Sequence, residues 1–287
     1  MIFPIGDTPN PRGFVAWITG LLLAANVLVY LLVALPMSST RWDLFVEQHG
    51  YVPGDPSLVD LFTAMFVHAN FAHLAGNMLF LWIYGDNVEH RLGRLGYLAA
   101  YLGTGVVATL AFAQFAPLPD IPLVGASGAI SGVLGMYFVL FPRNLVKVFV
   151  GLFPFVVNVW LVPAPIVLGI FVVVDNLLPF LVGTGGGVAY GAHLGGFVAG
   201  AAIALALRAS GAPLVAPEVS ASLDEARWHL LNGEALIARN QPTEAYQHLA
   251  RALQLDPDPD TRERIQSALA RLHLDPRVAR RLGVSES

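Results

Sequence analysis

The stretch LVGASGAISGVLG, residues 123–135, has no charge and surrounds its serines with small residues. Each glycine inside a helix costs about 1 kcal/mol relative to alanine, and a hydroxyl group in hydrocarbon needs a hydrogen-bond partner. The sequence must compensate for both costs. Close packing between helices is one explanation for this stretch, and a catalytic serine is the other.

The composition indicates a membrane protein. Of the 287 residues, 55% are hydrophobic and 13% are charged, whereas soluble domains carry about 25% charged residues. The chain has no cysteine, which excludes disulfides, thiolate metal sites and a cysteine nucleophile. The net charge of -4 gives no reason to expect a nucleic-acid partner.

Charged residues are spread unevenly along the chain. Residues 213–287 hold nine arginines and eleven acidic residues, whereas residues 1–212 hold seven basic and nine acidic residues. Such a shift in composition marks a domain boundary. We predict a membrane domain at 1–209, a linker at 210–220 and a small helical tail at 221–287.

Six stretches are long and apolar enough to cross a membrane as helices, which takes about 20 apolar residues. The predicted fold is therefore all-α and polytopic. The apolar stretch Leu145–Leu161 contains Pro154 and Asn158, so we interpret it as interfacial or partly re-entrant, with a seventh span as the alternative. The six predicted spans are Phe14–Leu35, about Leu61–Tyr84, Leu95–Ala116, Leu123–Phe141, Pro163–Val182 and Val188–Leu207.

The basic residues predict the orientation in the membrane. Six spans place both termini on one side, and Arg41 is the basic residue in the opposite loops. The positive-inside rule then makes both termini cytoplasmic. The basic residues on the cytoplasmic side are Arg12, Arg91, Arg94, Arg143, Lys147 and Arg208.

Polar residues in three spans fall at one depth. Ser127 in span four, His193 in span six and the two histidines of span two all lie early in spans that run from outside to inside. Polar groups in a membrane are costly and indicate function. The polar residues of span two are His68, His73 and Asn77.

Glycine stripes predict that spans four and six pack closely. Gly196 and Gly200 form a GxxxG pattern in span six, and small-residue stripes let helices approach through their backbones. Such packing would bring the Ser127 hydroxyl within reach of His193, the minimum arrangement for nucleophilic acyl transfer. The stripe of span four is Gly125, Gly128, Gly132 and Gly135.

Simpler explanations exist for each feature. GxxxG stripes usually serve packing alone, and a lone histidine in a span is more often a structural hydrogen-bonder than a catalytic base. Two histidines could bind a metal, but the five-residue spacing of His68 and His73 separates them on a helix and no HExxH motif is present. Asp175 is the one carboxylate inside a span, so an aspartyl pair is excluded. A serine–histidine mechanism accounts for all the polar positions together.

The combined motifs resemble the rhomboid family of intramembrane serine proteases. The matching segments are GASG at 125–128, HANFAHLAGN at 68–77, AHLGGFVAG at 192–200 and YGDNVEHRLGRLGYL at 84–98. The resemblance implies a six-helix bundle with a short span four and a cavity that opens outward. It also implies that GTGGG at 183–187 caps this cavity.

The resemblance implies a role for each matching residue. Ser127 would be the nucleophile and His193 the general base and acid. His73 and Asn77 would stabilise the oxyanion, with His68, Gly125 and Gly128 supporting them. The implied reaction is cleavage of transmembrane proteins in the lipid bilayer near their outer end, without metal or cofactor, and we expect a bacterial inner membrane.

One departure concerns the position four residues after the nucleophile. Some bacterial members carry a tyrosine there that stacks on the catalytic histidine, and this chain has Ser131. His193 must then be positioned by other packing.

An inactive rhomboid-like protein that binds transmembrane clients is the alternative function, and a transporter that uses Asp175 and the histidines is a third.

The tail resembles part of a tetratricopeptide repeat at residues 225–257. Trp228, Leu231, Ala245, Ala252 and the closing LDP are the matching positions. One repeat is too small to be stable alone, so we expect it to pack on DTRERIQSALARLHL as a third helix. An ordinary amphipathic hairpin is the alternative. In either case we expect a docking module for a cytosolic protein partner.

Overall fold

The chain divides into two compact units, Met1–Val215 and Ala216–Ser287. The structure is a computed structural model, and both units are mostly helical. It describes residues 2–11, 14–116, 118–152, 156–183, 189–210, 219–255, 257 and 259–272.

The first unit contains nine helices and three strands within the described residues. In chain order they are β1 (Ile2–Thr8), α1 (Trp17–Val29, continued by a π-helical turn over Tyr30–Ala34), α2 (Ser39–His49), α3 (Asp60–Thr63, continued by a 3-10 turn over Ala64–Phe66), α4 (Phe71–Leu92), α5 (Arg94–Phe115), α6 (Ser127–Leu140), β2 (Leu145–Leu152), β3 (Val156–Pro163), α7 (Ala164–Val172, continued by a π-helical turn over Val173–Leu177), α8 (Leu178–Val182) and α9 (Tyr190–Ala209).

Four helical segments of the described chain are long and apolar enough to cross a membrane. They correspond to predicted spans one, three, five and six, and α6 is a shorter apolar helix at predicted span four. Exposed leucine and isoleucine side chains cover the outer faces of α1 and α7. Large exposed apolar surfaces of this kind fit contact with lipid. The four segments are Trp17–Ala34, Arg94–Phe115, Ala164–Val182 and Tyr190–Ala209.

The second predicted span begins later than expected. The chain forms α3 and a 3-10 turn from Asp60 to Phe66, and α4 then begins at Phe71. The side chain of Asn70 caps this new helix, because it accepts a hydrogen bond from the backbone N–H of His73 at 2.9 Å. A capping side chain satisfies an N–H group that the first helical turn leaves free.

The C-terminal end of α4 holds the start of α1. Glu89 is fully buried and accepts hydrogen bonds from the backbone N–H groups of Ile18 at 3.0 Å and Thr19 at 2.7 Å. The Thr19 hydroxyl donates to the same carboxylate at 2.8 Å. A carboxylate at this position satisfies free N–H groups and complements the helix dipole.

The first unit also contains a three-stranded antiparallel sheet, which the all-α prediction did not include. β2 and β3 form a hairpin in which Val148 lies opposite Trp160, and β1 pairs with the other edge of β2. The hairpin occupies the apolar stretch at 145–161, so the alternative of a seventh helical span is wrong. Valine is frequent in both strands and fits a pleated surface, and Val146 packs into the main core.

Helix α6 lies at the centre of the first unit. It packs against α4, α5 and α9, and ten of its 14 residues are buried, in an unbroken run from Gly128 to Tyr137. The largest buried side chains on α6 are Leu134, Met136 and Tyr137. The core of the bundle therefore surrounds the helix that begins with Ser127.

The second unit contains α10 (Val219–Ala238), α11 (Pro242–Gln254) and α12 (Pro259–Ala270). The third helix packs on the first two, as predicted, while Trp228 and Leu231 are exposed. The tetratricopeptide assignment stays a prediction. Most of the predicted linker at 210–220 lies outside the described residues. The buried residues that form the hydrophobic core of this second unit are Leu230, Leu249, Ala252, Ile265 and Ala268.

Candidate active site

Ser127 and His193 lie in direct contact. Ser127 is the first residue of α6, and His193 lies in the first turn of α9. The His193 Nε2 atom is 2.8 Å from the Ser127 Oγ atom, and both residues are partly exposed. A histidine at this distance can accept the serine proton.

Glycines allow α6 and α9 to approach this closely. A Cβ atom on Gly196 would overlap the carbonyl oxygen of Gly128, and one on Gly200 would overlap that of Gly132. The backbones therefore touch along the two stripes predicted from the sequence. This contact sets the distance between Ser127 and His193.

The loop before α6 is held by backbone hydrogen bonds. Gly125 N–H donates to the Ala64 carbonyl at 2.8 Å, and Leu123 exchanges two hydrogen bonds with Tyr51. Irregular backbone at membrane depth is tolerated where such groups are satisfied. The loop is thus a fixed support for Ser127.

Helix α6 is too short to span a bilayer. Its 14 residues give a length of about 21 Å, against a hydrocarbon core of about 30 Å. A helix of this length leaves at least one of its ends within the hydrocarbon core. The first N–H groups of a helix have no partner within the helix, and with the dipole they favour negative charge.

His73 and Asn77 lie one turn apart on α4 and face the loop at Gly125. A Cβ atom on Gly125 would lie 2.7 Å from His73 Nε2 and 3.7 Å from Asn77 Nδ2. Asn77 is buried, and its Nδ2 atom has no hydrogen-bond partner among the described residues. A buried donor without a partner is costly, so this amide is available to a ligand beside Ser127.

His68 lies outside the helix in which it was predicted. It occupies the extended segment before α4, is fully buried, and its ring meets the His73 ring edge to face with centroids 5.1 Å apart. His68 therefore packs behind His73. Within the described ranges, no group of three or more His, Cys, Asp or Glu side chains is placed to hold a metal ion.

Asn176 is a site residue that the sequence reasoning missed. Its Oδ1 atom is 2.7 Å from His193 Nδ1, on the opposite side of the ring from Ser127. The neighbouring Asp175, the carboxylate predicted inside this span, is exposed on the π-helical turn. The rule that polar residues in spans indicate function applied to Asn176 equally and could have found it.

Ser131 and the predicted cap at 183–187 are the remaining positions named from the sequence. Ser131 is buried one turn below Ser127 on α6. Of the predicted cap at 183–187, Gly183 ends α8 in a left-handed conformation with φ 70°. Residues 184–187 lie outside the described part of the chain.

Comparisons with known proteins show which family this chain resembles. The chain matches the Rhomboid domain family over residues 55–210, more than half of its length. It is 33% identical over 135 residues to rhomboid protease GluP of Bacillus subtilis, which covers 44% of this chain and 25% of that protein.

Two further relatives have similar sequence identities to this chain. The chain is 31% identical over 128 residues to putative rhomboid protease YdcA of Bacillus subtilis, covering 44% of this chain and 64% of that protein. It is 32% identical over 145 residues to Rhomboid protein 1, mitochondrial, of Saccharomyces cerevisiae, covering 48% and 40%. The chain thus matches less than two thirds of the length of each of these relatives.

The resemblance drawn from the sequence motifs is confirmed by the family match. The matched range runs from the loop before α3 to the end of α9 and includes every residue of the site described above. This chain belongs to the rhomboid family.

Proposed function

We propose that this chain is an intramembrane serine endopeptidase that cleaves transmembrane proteins near their outer end. The observation that carries the proposal is the 2.8 Å contact between Ser127 Oγ and His193 Nε2. Relatives described as rhomboid proteases support it. A protein that only bound its clients would have no need of this contact.

The proposed reaction begins with proton transfer. His193 Nε2 takes the Ser127 proton as Oγ attacks the carbonyl carbon of the scissile peptide bond. The carbonyl oxygen becomes an oxyanion beside the free N–H groups that begin α6. Asn77 Nδ2 is a further donor because it has no partner among the described residues, and His73 lies next to it.

The second half of the reaction returns the enzyme to its starting state. The imidazolium of His193 gives its proton to the leaving amine as the peptide C–N bond breaks, which leaves an acyl ester on Ser127. Water then attacks this ester, with His193 again accepting and returning a proton. Preorganised donors beside the oxyanion stabilise both tetrahedral intermediates.

The proposed setting follows from the spans and the basic residues. Both termini lie in the cytoplasm of a bacterial cell, and Ser127 opens toward the outside. The two relatives from Bacillus subtilis favour a cell membrane. The second unit, with three helices, serves as a docking module for a cytosolic partner protein.

A cleavage assay in liposomes tests the proposed function. The full chain and a single-span model substrate are reconstituted together, and the cleaved fragment is measured over time. We expect Ser127→Ala to abolish cleavage and His193→Ala to be nearly as damaging. Ser131→Ala is the matched control, because Ser131 lies on the same helix, and it should keep most activity.

Two outcomes would overturn the proposal. Cleavage by Ser127→Ala at the wild-type rate would exclude Ser127 as the nucleophile. If the folded wild type bound the substrate without cleaving it, the inactive client-binding function would be correct instead.

A further inference from the structure

Asn176 contacts the nitrogen of His193 that does not face Ser127. We propose that Asn176 is a positioning residue that holds His193 in the tautomer able to accept the Ser127 proton. The distance between Asn176 Oδ1 and His193 Nδ1 is 2.7 Å, and Asn176 is 2% exposed. The inference rests on the proposed function of Ser127 and His193.

The orientation of the Asn176 amide is fixed by a second hydrogen bond. Its Nδ2 atom donates to the backbone carbonyl of Phe171 at 2.7 Å. A carbonyl oxygen only accepts, so the amide nitrogen must face Phe171 and the amide oxygen must face His193. The Phe171 carbonyl therefore determines which amide atom the histidine meets.

This orientation determines the tautomer of the histidine. An amide oxygen can only accept, so His193 Nδ1 carries the hydrogen in the contact at 2.7 Å. A neutral imidazole has one N–H group, which leaves Nε2 with a free lone pair. That lone pair faces the Ser127 hydroxyl at 2.8 Å, as a general base requires.

A π-helical turn brings Asn176 to this place. The turn covers Val173–Leu177, and Asn176 is buried while Val174 and Asp175, which precede it within the turn, are exposed. Such turns inside α-helices occur frequently at functional sites. Within the turn, the Asn176 side chain is therefore directed inward while that of Asp175 is directed outward.

The contact with Asn176 also supplies the positioning of His193 that an aromatic residue at position 131 would otherwise provide. The resemblance led us to expect that His193 needs positioning by other packing, because Ser131 replaces a stacking tyrosine. The Phe171 ring lies 6.5 Å from the His193 ring, centroid to centroid, at 32°. Asn176 instead constrains the ring through a directed hydrogen bond, which also selects the tautomer.

Variants at position 176 test the proposal in the full chain. The readouts are kcat and KM for the model substrate, the rate of Ser127 labelling by a fluorophosphonate, and the midpoint of thermal unfolding. We expect Asn176→Ala to lower kcat about 10- to 1000-fold with KM nearly unchanged, because the wrong tautomer impairs the chemical step. Asp175→Asn, at the exposed neighbouring position, is the matched control and should behave like wild type.

Asn176→Asp separates positioning from packing. A carboxylate accepts the same Nδ1–H hydrogen bond with one oxygen, but its other oxygen cannot donate to the Phe171 carbonyl as the amide does, so kcat should rise above that of Asn176→Ala without reaching the wild-type value. Its negative charge also stabilises the imidazolium, so the rising limb of the pH–rate profile should move to higher pH. His73 is the titratable neighbour on α4, and it is the same in every variant.

The outcomes distinguish this inference from the proposed function. A folded wild type that neither reacts with the probe nor cleaves would contradict the proposed function itself. An active wild type with Asn176→Ala equally fast would overturn the positioning role alone. If Asn176→Ala does not fold, an unchanged pH profile in Asn176→Asp would overturn the role, and a shift to higher pH would support it.

Discussion

At the scale of single residues, Gly125 shows why the motif around Ser127 begins with glycine. Its φ angle of 118° lies in the region that L side chains rarely adopt. A Cβ atom there would also lie 2.7 Å from His73 Cε1 and Nε2. The residue therefore combines a backbone requirement with a steric one.

Gly125→Ala should lower kcat at least about tenfold, because the methyl group displaces His73 and strains the loop that supports Ser127. Cleavage of the model substrate in liposomes measures the effect. Gly76→Ala on α4 is the control, since a Cβ atom there would meet no neighbouring element within 4 Å. Wild-type kcat in Gly125→Ala would show that His73 and this loop are not part of the reaction site.

The candidate residues were predictable from sequence to different degrees. Ser127, His193, His73 and Asn77 were found because polar groups at one membrane depth are rare and costly. Asn176 was missed because its inward direction depends on the π-helical turn. A regular helical period carries no sign of such a turn, and the charge of Asp175 made that neighbour the more conspicuous polar residue in the sequence.

At the scale of secondary-structure elements, the contact between α6 and α9 positions the site. Gly200→Ala should lower the midpoint of thermal unfolding, because its methyl group would overlap the Gly132 carbonyl oxygen and separate the helices. Gly103→Ala on the exposed face of α5 is the control, since a Cβ atom there meets nothing within 4 Å. That variant should be neutral or more stable, by up to about 1 kcal/mol.

A thermal unfolding measurement in detergent compares the two glycine variants directly. Equal midpoints for Gly200→Ala and wild type would contradict the role of close backbone contact. Cleavage by Gly200→Ala should fall as well, because separating the helices lengthens the distance from Ser127 to His193.

The elements were predicted with uneven success. Periodicity and length located most of the helices, but a short apolar run does not distinguish a strand from a buried helix. The stretch at 145–161 was such a run. The first of its strands, β2, also pairs with β1, about 140 residues earlier in the chain, and a pattern within the run cannot indicate such a distant partner.

At the scale of the whole molecule, Asp7 joins three distant parts of the first unit. Its carboxylate accepts hydrogen bonds from Asn87 on α4 at 2.8 Å and from Tyr137 on α6. Burial of this residue in β1 raises the pKa of the Asp7 carboxyl to about 7. The unfolded chain has a pKa of about 3.9 for this group.

The pKa of Asp7 predicts how stability changes with pH. Because the folded pKa is raised, the folded state binds more protons than the unfolded state between about pH 4 and 7. The contribution of Asp7 to stability should therefore decrease as the pH rises through this window. Asp7→Asn removes the titration, so its unfolding midpoint should depend less on pH than that of wild type.

Thermal unfolding of both proteins between pH 4 and pH 8 measures this difference. Equal pH dependence in wild type and Asp7→Asn would contradict the raised pKa. Asn144, which donates to Tyr137 at 2.9 Å, is unchanged in both proteins, so the two proteins differ only in the side chain at position 7 and its effect on neighbouring charges.

Composition predicted the organisation of the whole chain better than its details. The low share of charged residues indicated a membrane domain, and the rise in charge near residue 213 indicated a separate helical tail. The network around Asp7 could not be predicted, because its members are separated by up to 130 residues. Such contacts depend on the packed fold.

The reaction of Ser127 with a fluorophosphonate tests the central claim most directly. The full chain is labelled in liposomes, and mass spectrometry identifies the modified residue. We predict a single label on Ser127, which is lost in Ser127→Ala and kept in Ser131→Ala. A label on Ser131, or the absence of any label on folded wild type, would contradict the account.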